Sequence, residues 1–336
     1  MDSLGHTVQR CAVLGSNSFA GAAFVAKAIE EGVEVVGFNR SPEGSPIFLP
    51  YRRSTNASLY RYIRADLNHD LERIALELEH FRPQAIVDFA GQGMVAESWM
   101  NPEQWYTTNV LAKVRLHERL RTYSWLKKYV RISTPEVYGS SNDQIAETCP
   151  YNPTTPYAVS HAAIDMSLAA LHRQYGFPVV IGRFANFFGA GQQLYRIVPR
   201  TIIYALLGKK LYLHGGGRST RAFIHSADVS AGIAACLVSG IPGQKYHFAP
   251  ERFLTIRQAV ELICRRLGAS FESLVEISAD RPGKDMAYLM DSSKARRELG
   301  WQETMTFEQG VDETISWVRN NLDQIKQLPL DYIHQP

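Results

Sequence analysis

Four side chains suited to proton transfer stand near one another in the middle of the chain. They are Thr134 and Glu136 in the run STPEVYG, and Tyr157 and His161 in YAVSH. A hydroxyl, a carboxylate, a phenol and an imidazole can orient, accept and return protons. Tyr157 and His161 are four residues apart, so a helix places them on one face. A phenol of ordinary pKa, about 10, is a weak base near neutrality and works only with a positive charge nearby. Taken singly, each residue has a plainer explanation: His161 as a satisfied core or surface imidazole, Glu136 as a rim ion-pair partner.

A second chemical feature lies at the start of the chain. Gly15-Ser-Asn-Ser18-Phe-Ala-Gly21 keeps the first and last glycines of a phosphate-binding turn, with Ser18 in the middle position. The first glycine permits the tight turn, the last lets helix pack on sheet, and the helix N-terminus presents free N–H groups to a pyrophosphate. A dinucleotide site is expected there. The next apolar run ends in Asn39-Arg40-Ser41, where an acid would pair with the ribose 2′-hydroxyl of NAD. Arg40 suits a 2′-phosphate, so the cofactor is NAD or NADP with a lean toward NADP. Asp66 and Leu67 fall where an adenine contact is expected.

These groups need a scaffold. Apolar runs CAVLG (11–15) and VEVVGF flank the helix-like GAAFVAKAIEEG, a strand–turn–helix–strand unit. Further strands are expected at 83–89, 128–133 and 178–183, and helices at 70–81, 102–124 and 156–175. Short doubly buried runs alternating with helices define an α/β fold, a Rossmann-type doubly wound parallel sheet. Thr134 and Glu136 follow the strand at 128–133 and so face its ligand crevice. Beyond about residue 187 the rhythm changes, with helices expected at 196–208, 256–267, 292–299 and 307–321 and a strand at RAFIH. This defines a smaller mixed lobe, 188–228 and 256–336, against a dinucleotide domain of 1–187 plus roughly 229–255, the latter including a strand YHFA. The Pro/Ser-rich stretch 41–56 is expected to be a surface loop.

Composition narrows the functional classes. The net charge of +3 comes from scattered basic pairs, not one basic face, which argues against nucleic acid as a partner. Four dispersed cysteines and ten histidines without metal-ligand spacing argue against disulfides and a metal site. No run approaches the ~18–20 apolar residues of a membrane span, and the N-terminal apolar run is too short for a signal peptide. A cytoplasmic protein is expected.

The motifs together resemble the extended short-chain dehydrogenase/reductases of the nucleotide-sugar epimerase and 4,6-dehydratase group. The resemblance runs through the glycine turn, FAGQGMV, NPEQWYTTNV, STPEVYG, TPYAVSH, RFANFFG, GGGRSTRAFIHSADV and RPGKDMAYLMDSSKARRELGW. It implies that Tyr157 takes the sugar 4-hydroxyl proton while Thr134 bonds the reacting oxygen. It implies that Glu136 takes the C5 proton in water elimination, with Pro135 where some relatives carry a proton-donating aspartate. Phe19, Ala90, Gln92 and Asn109 join the cofactor contacts. Asn186, Arg221 and Arg281, with Arg196 and Arg218 less directly, hold the sugar diphosphate. A homodimer is implied through the helices containing Asn109–Arg121 and Tyr157–His172.

The resemblance breaks at His161, where the family carries a lysine that tunes the tyrosine and holds the nicotinamide ribose. Three readings are open: a working imidazolium substitute, a weakened site, or a protein that binds without catalysis. The leading expectation is an NDP-hexose 4,6-dehydratase. Its alternatives are a 4-epimerase or 4-dehydrogenase on the same substrate class, and a non-catalytic dinucleotide sensor.

Overall fold

The computed structural model describes residues 3–141, 143–279 and 287–335. The first unit of the fold is β1 (Arg10–Leu14), α1 (Phe19–Glu30) and β2 (Glu34–Asn39). β3 (Tyr60–Arg64), α2 (Leu71–Phe81) and β4 (Ala85–Asp88) follow. Next come α3 (Ala112–Leu120), β5 (Lys128–Ser133), α4 (Pro156–Tyr175) and β6 (Val179–Phe184). Four further strands are β7 (Asn186–Phe188), β8 (Thr220–His225), β9 (Lys245–Phe248) and β10 (Phe253–Thr255).

Seven strands form one parallel sheet in the order β9-β6-β5-β4-β1-β2-β3. The order reverses between β1 and β4, and a crevice opens beyond their carboxyl ends, where such folds bind ligands. Lys245–Phe248 joins this sheet beside β6 although it follows the first segment of the second lobe in sequence. The polar sequence YRYIR also forms an edge strand, one that its alternation alone does not announce.

A second core gathers α5 (Ile197–Leu207), α7 (Ile256–Leu267) and α9 (Phe307–Asn320), with α6 (Ser226–Ser239) and α8 (Ser293–Leu299) on the sheet side. β8 pairs in parallel with β7 and antiparallel with β10, joining this lobe to the end of β6.

Two expectations are corrected. The stretch 41–56 is not a surface loop: Ile47, Leu49 and Tyr51 are buried, and the Ile47 carbonyl accepts a hydrogen bond from Trp317 Nε1 at 3.2 Å. Pro46 and Pro50 open consecutive 3₁₀ turns that send these alternate apolar residues inward, a pattern masked by the Pro/Ser bias. The helix expected at 102–124 is instead Pro102–Tyr106, a π-helical turn at Thr107–Leu111, and α3, ending at Leu120. Such π turns recur at functional sites. This one carries Asn109.

Candidate active site

The glycine turn is built as its residue types require. Gly15 has φ +80°, and a Cβ there would lie 2.9 Å from the Ala90 nitrogen. A Cβ on Gly21 would lie 2.3 Å from the Gly15 carbonyl oxygen. No side chain fits at either position, so the backbone cradle stays open. Ser18 is the N-cap of α1: its Oγ accepts from the Gly21 amide at 3.1 Å and donates to the Gly15 carbonyl at 2.7 Å. Phe19 opens the helix and is buried.

Above this turn lies a cavity of about 130 Å³ lined by Gly15, Ser18, Asn39, Arg40, Asp66, Leu67, Ala90 and Gln92, among others. It brings together most of the residues expected to hold the cofactor. Asn109, fully buried, fixes the loop after β4: its Oδ1 accepts from the Gln92 amide at 2.7 Å, and its Nδ2 donates to the Gln92 carbonyl and to Ser160 Oγ. The cradle and its polar rim suit a dinucleotide.

The chain's own C-terminal tail reaches this cavity. The Gln335 carbonyl accepts from Arg40 Nη2 at 2.9 Å and from Gln92 Nε2 at 3.0 Å, bridging its two lips. His334 stacks on Trp105 at 5.5 Å and pairs with Gln104. At about 130 Å³ the remaining space is well below the roughly 300 Å³ at which ligand pockets begin. Gln335 occupies the hydrogen-bonding groups of Arg40 and Gln92, two residues expected to contact a dinucleotide, and so competes for them. Deleting residues 331–336 is expected to tighten dinucleotide binding by about an order of magnitude, as two competing hydrogen bonds are removed. Titration of nicotinamide fluorescence measures this, and an unchanged affinity would show that the tail does not compete.

Local capping places the reacting groups. Thr134 follows β5 and caps the 3₁₀ turn Pro135–Tyr138, its Oγ1 accepting from the Glu136 amide at 3.3 Å. Pro135 occupies the first turn position, where its missing N–H costs nothing. Thr155 caps α4 in the same way, with Pro156 at the first position, so Tyr157 stands in the first turn and His161 one turn further on.

The Tyr157 and His161 rings lie 4.6 Å apart. Burial of its hydroxyl and the nearby Glu136 carboxylate push Tyr157 up to about 12. The Thr134 hydroxyl, hydrogen bonded to it, and the cations Arg196 and Arg131 pull the other way.

His161 is not an imidazolium. Burial, and then Arg131, Lys113 and Arg183, hold it well below its ordinary value, so it is neutral at pH 7. Arg131 Nη2 lies 3.0 Å from His161 Nδ1. Arginine only donates, so Nδ1 is the acceptor and the ring proton sits on Nε2. The expectation of a charged imidazole fails because the three cations that set its state, Arg131, Lys113 and Arg183, come from other elements of the fold.

In the second lobe, Arg221 is buried with its guanidinium 4.3 Å from the centre of the Tyr288 ring. Tyr288 donates to Asn186 Oδ1 at 3.3 Å, and its phenol is raised by burial, by Glu136 and by Tyr157. Asn186, Arg221 and Tyr288 thus face the Thr134–Glu136–Tyr157 group. Arg196 sits at the head of α5, exposed, with its charge felt at Tyr157. Arg218 stands apart in an open depression with Arg257, and Arg281 lies outside the described residues.

Sequence reasoning missed Tyr288, Arg131 and Lys113. A lone arginine inside KYVRIS, a run expected to be buried on both faces, was the available signal for Arg131. Asp88, Lys113, Arg131, Asp165 and Arg183 form one fully buried ionic cluster.

A doubly wound parallel sheet with a glycine turn at its switch point, and a tyrosine–threonine pair beyond β5, defines an extended short-chain dehydrogenase/reductase. Within that class the chain belongs to the GDP-mannose 4,6-dehydratase family, whose model matches residues 13–314. It is 30% identical over 328 residues to a dTDP-glucose 4,6-dehydratase of Xanthomonas campestris, covering 92% of this chain and 93% of that one. The crystal structure of the dTDP-glucose 4,6-dehydratase of Streptomyces venezuelae, with NAD bound, superposes with a TM-score of 0.87 at 31% identity. The match covers 96% of this chain and all of that one. A UDP-glucose 4-epimerase of Thermotoga maritima shares the fold, with a TM-score of 0.84 at 24% identity over 93% of this chain and 99% of that one.

Proposed function

We propose that this protein is an NAD(P)-dependent NDP-hexose 4,6-dehydratase, forming a 4-keto-6-deoxy nucleotide sugar. The observation that carries this is Glu136: its charge acts on both Tyr157 and Tyr288, so a carboxylate stands beside the phenol, where the C5 proton of a bound hexose would lie. The solved relative holds NAD, and Asn39-Arg40 in place of an acid leaves a 2′-phosphate unrepelled.

The dinucleotide, when bound, accepts hydride from C4 and returns it to C6. Tyr157 accepts the 4-hydroxyl proton, and Thr134 bonds the same oxygen. With C4 a ketone, the C5 proton is acidic, and Glu136 removes it. The C6–O bond breaks and the hydroxyl leaves as water. Pro135 has no proton to give, so the leaving hydroxyl takes the proton that Glu136 received from C5. When hydride returns to C6, C5 takes a proton from solvent water, and Tyr157 releases to solvent the proton it accepted. Asn186, Arg196, Arg221 and Arg281 hold the sugar and its diphosphate, the arginines by charge-assisted bonds.

Mass analysis after incubation with a panel of NDP-hexoses tests the reading. Loss of one water is expected; unchanged mass with a new stereoisomer would identify an epimerase, and no turnover a dinucleotide sensor. Glu136→Gln is expected to slow water loss about a hundred- to ten-thousand-fold while cofactor reduction in a single turnover persists. Retained dehydration in that variant would move the base elsewhere.

The protein acts as a homodimer in this proposal. Leu111, Val159 and Met166 are exposed apolar residues on the helices named for the interface, with Trp99 and Met100 beside them. Among the described residues no helix is long and apolar enough to cross a membrane. The four free cysteines fit the cytoplasm, where we place the protein.

A further inference from the structure

We propose that Arg131 is the positioning residue that makes Tyr157 a working base, its charge delivered through the neutral imidazole of His161. This rests on the reading of Tyr157 as the base, and the observations are geometric.

The cluster beneath the active site contains three cations, Lys113, Arg131 and Arg183, and two carboxylates, Asp88 and Asp165, all 1% exposed or less. Two of the cations are closely paired. Lys113 Nζ lies 2.5 Å from Asp88 Oδ2, and Arg183 Nη2 lies 2.7 Å from Asp165 Oδ2. Tyr129 donates to Asp88 and Ser133 to Asp165, which further occupies those carboxylates.

Arg131 is the cation left over. It approaches Asp88 only to 3.7 Å and Asp165 only to 3.9 Å, and its Nε has no partner. Its close contact is the uncharged Nδ1 of His161. Its two carboxylates, at 3.7 and 3.9 Å, already hold closer partners, so the charge of Arg131 is only partly compensated, and such a buried residue costs free energy unless the surroundings or the chemistry use it.

The strand register aims it. Arg131 is opposite Asp88 across β4–β5 and two residues before Ser133, so it shares the buried face with Tyr129 and Ser133 beneath α4. The charged groups acting on Tyr157 are Glu136 from the turn after β5, Arg196 from α5 and Arg131 from β5. Those acting on His161 are Arg131, Lys113 and Arg183, all positive. The imidazole therefore cannot hold the charge itself. It accepts from the guanidinium at Nδ1, is polarised by it, and keeps its proton on Nε2 as a donor, in a ring 4.6 Å from that of Tyr157. Two residues thereby do the work of one ammonium: Arg131 carries the charge and His161 the donor.

The test uses the dinucleotide-bound protein labelled with ¹³Cζ-tyrosine, in which the Tyr157 signal is identified by its loss in Tyr157→Phe. Arg131→Met leaves both close ion pairs intact and the cluster neutral, so the protein is expected to fold. The Tyr157 titration is expected to rise by at least about one pH unit, with kcat/KM at pH 7 at least about tenfold lower and the loss recovered at high pH. Arg131→Lys, which keeps the charge, is expected to recover most of this shift.

A charge exchange gives a second arm. His161→Lys alone sets two buried cations against each other, and Arg131→His alone removes the charge, so each single variant is expected to lose activity. Arg131→His with His161→Lys restores one cation and one imidazole, and is expected to exceed either single variant by at least about tenfold. If Arg131→Met does not fold, the exchanged pair decides, and its Tyr157 must titrate at or below the wild-type value.

A Tyr157 titration unmoved by Arg131→Met, or an exchanged pair no better than its singles, overturns the proposal. A clear titration shift with no water lost from any NDP-hexose would sink the dehydratase reading and leave this one standing.

Discussion

Replacing Tyr157 with phenylalanine is expected to lower turnover by about a hundred- to ten-thousand-fold at pH 7, with the protein folded and the dinucleotide still bound. The ring packs 4.6 Å from His161 and is retained in the variant. What disappears is the hydroxyl hydrogen bond to Thr134, roughly 1 kcal/mol, and Thr134 keeps its bond from the Glu136 amide at 3.3 Å. Affinity for the sugar nucleotide is expected to change little, because the proposed diphosphate contacts, Asn186 and Arg221, lie in the second lobe and not on Tyr157.

The pH profile gives the sharper reading. Burial and Glu136 push Tyr157 up to about 12, opposed by Thr134, Arg196 and Arg131, so the working base is scarce at neutrality and grows as pH rises. The wild-type rate is expected to climb through the alkaline range, and this limb is expected to vanish in the variant. His161, neutral throughout, contributes no break near pH 6.5. A loss under tenfold with the alkaline limb intact would remove Tyr157 from the chemistry.

Lys113→Met is expected to be strongly destabilising. It leaves the Asp88 carboxylate, fully buried, with Arg131 at 3.7 Å as its nearest cation. Removing one partner of such a pair costs about 3–5 kcal/mol, a large part of a total stability of about 5–15 kcal/mol. Arg131→Met, by contrast, leaves two matched pairs and is expected to cost less than half as much, although the side chains are similar in bulk. Thermal or urea unfolding of the two variants side by side measures the difference, and equal losses would show that the cluster does not divide into two pairs and a surplus charge.

Acid acts on the same pair. Burial alone would raise the Asp88 carboxyl, but Lys113 and Arg131 outweigh it and hold it below its ordinary 3.8. A carboxyl lowered in the folded state stabilises the protein above its unfolded value and loses that contribution as pH falls through the folded one. The wild type is therefore expected to keep this contribution down to about pH 4 and to lose it below.

Much of the candidate site depends on short-range sequence, and that part was legible. The Gly15–Gly21 turn, the cap that begins α4 at Thr155-Pro156, and the placement of Thr134 and Glu136 after β5 each depend on a few neighbouring residues. Their backbone geometry follows from glycine, proline and hydroxyl side chains wherever the flanking pattern allows a strand or helix. The boundaries of α4 and β5 follow the sequence pattern residue for residue for the same reason.

What sequence reasoning missed is long-range. Asp88, Lys113, Arg131, Asp165 and Arg183 come from five elements spread over almost a hundred positions, and only the sheet order β4-β5-β6 with α3 and α4 against it makes them one cluster. Gln335 reaches Arg40 from the other end of the chain. The fold class and the local geometry of the glycine turn and of the Thr134 and Thr155 caps were thus determined by the sequence itself. The charge state of His161, the burial of Ile47–Tyr51 and the placing of Arg131 against His161 were decided by tertiary structure, because desolvation and Coulomb interaction depend on what lies a few ångströms away in space and are indifferent to distance along the chain.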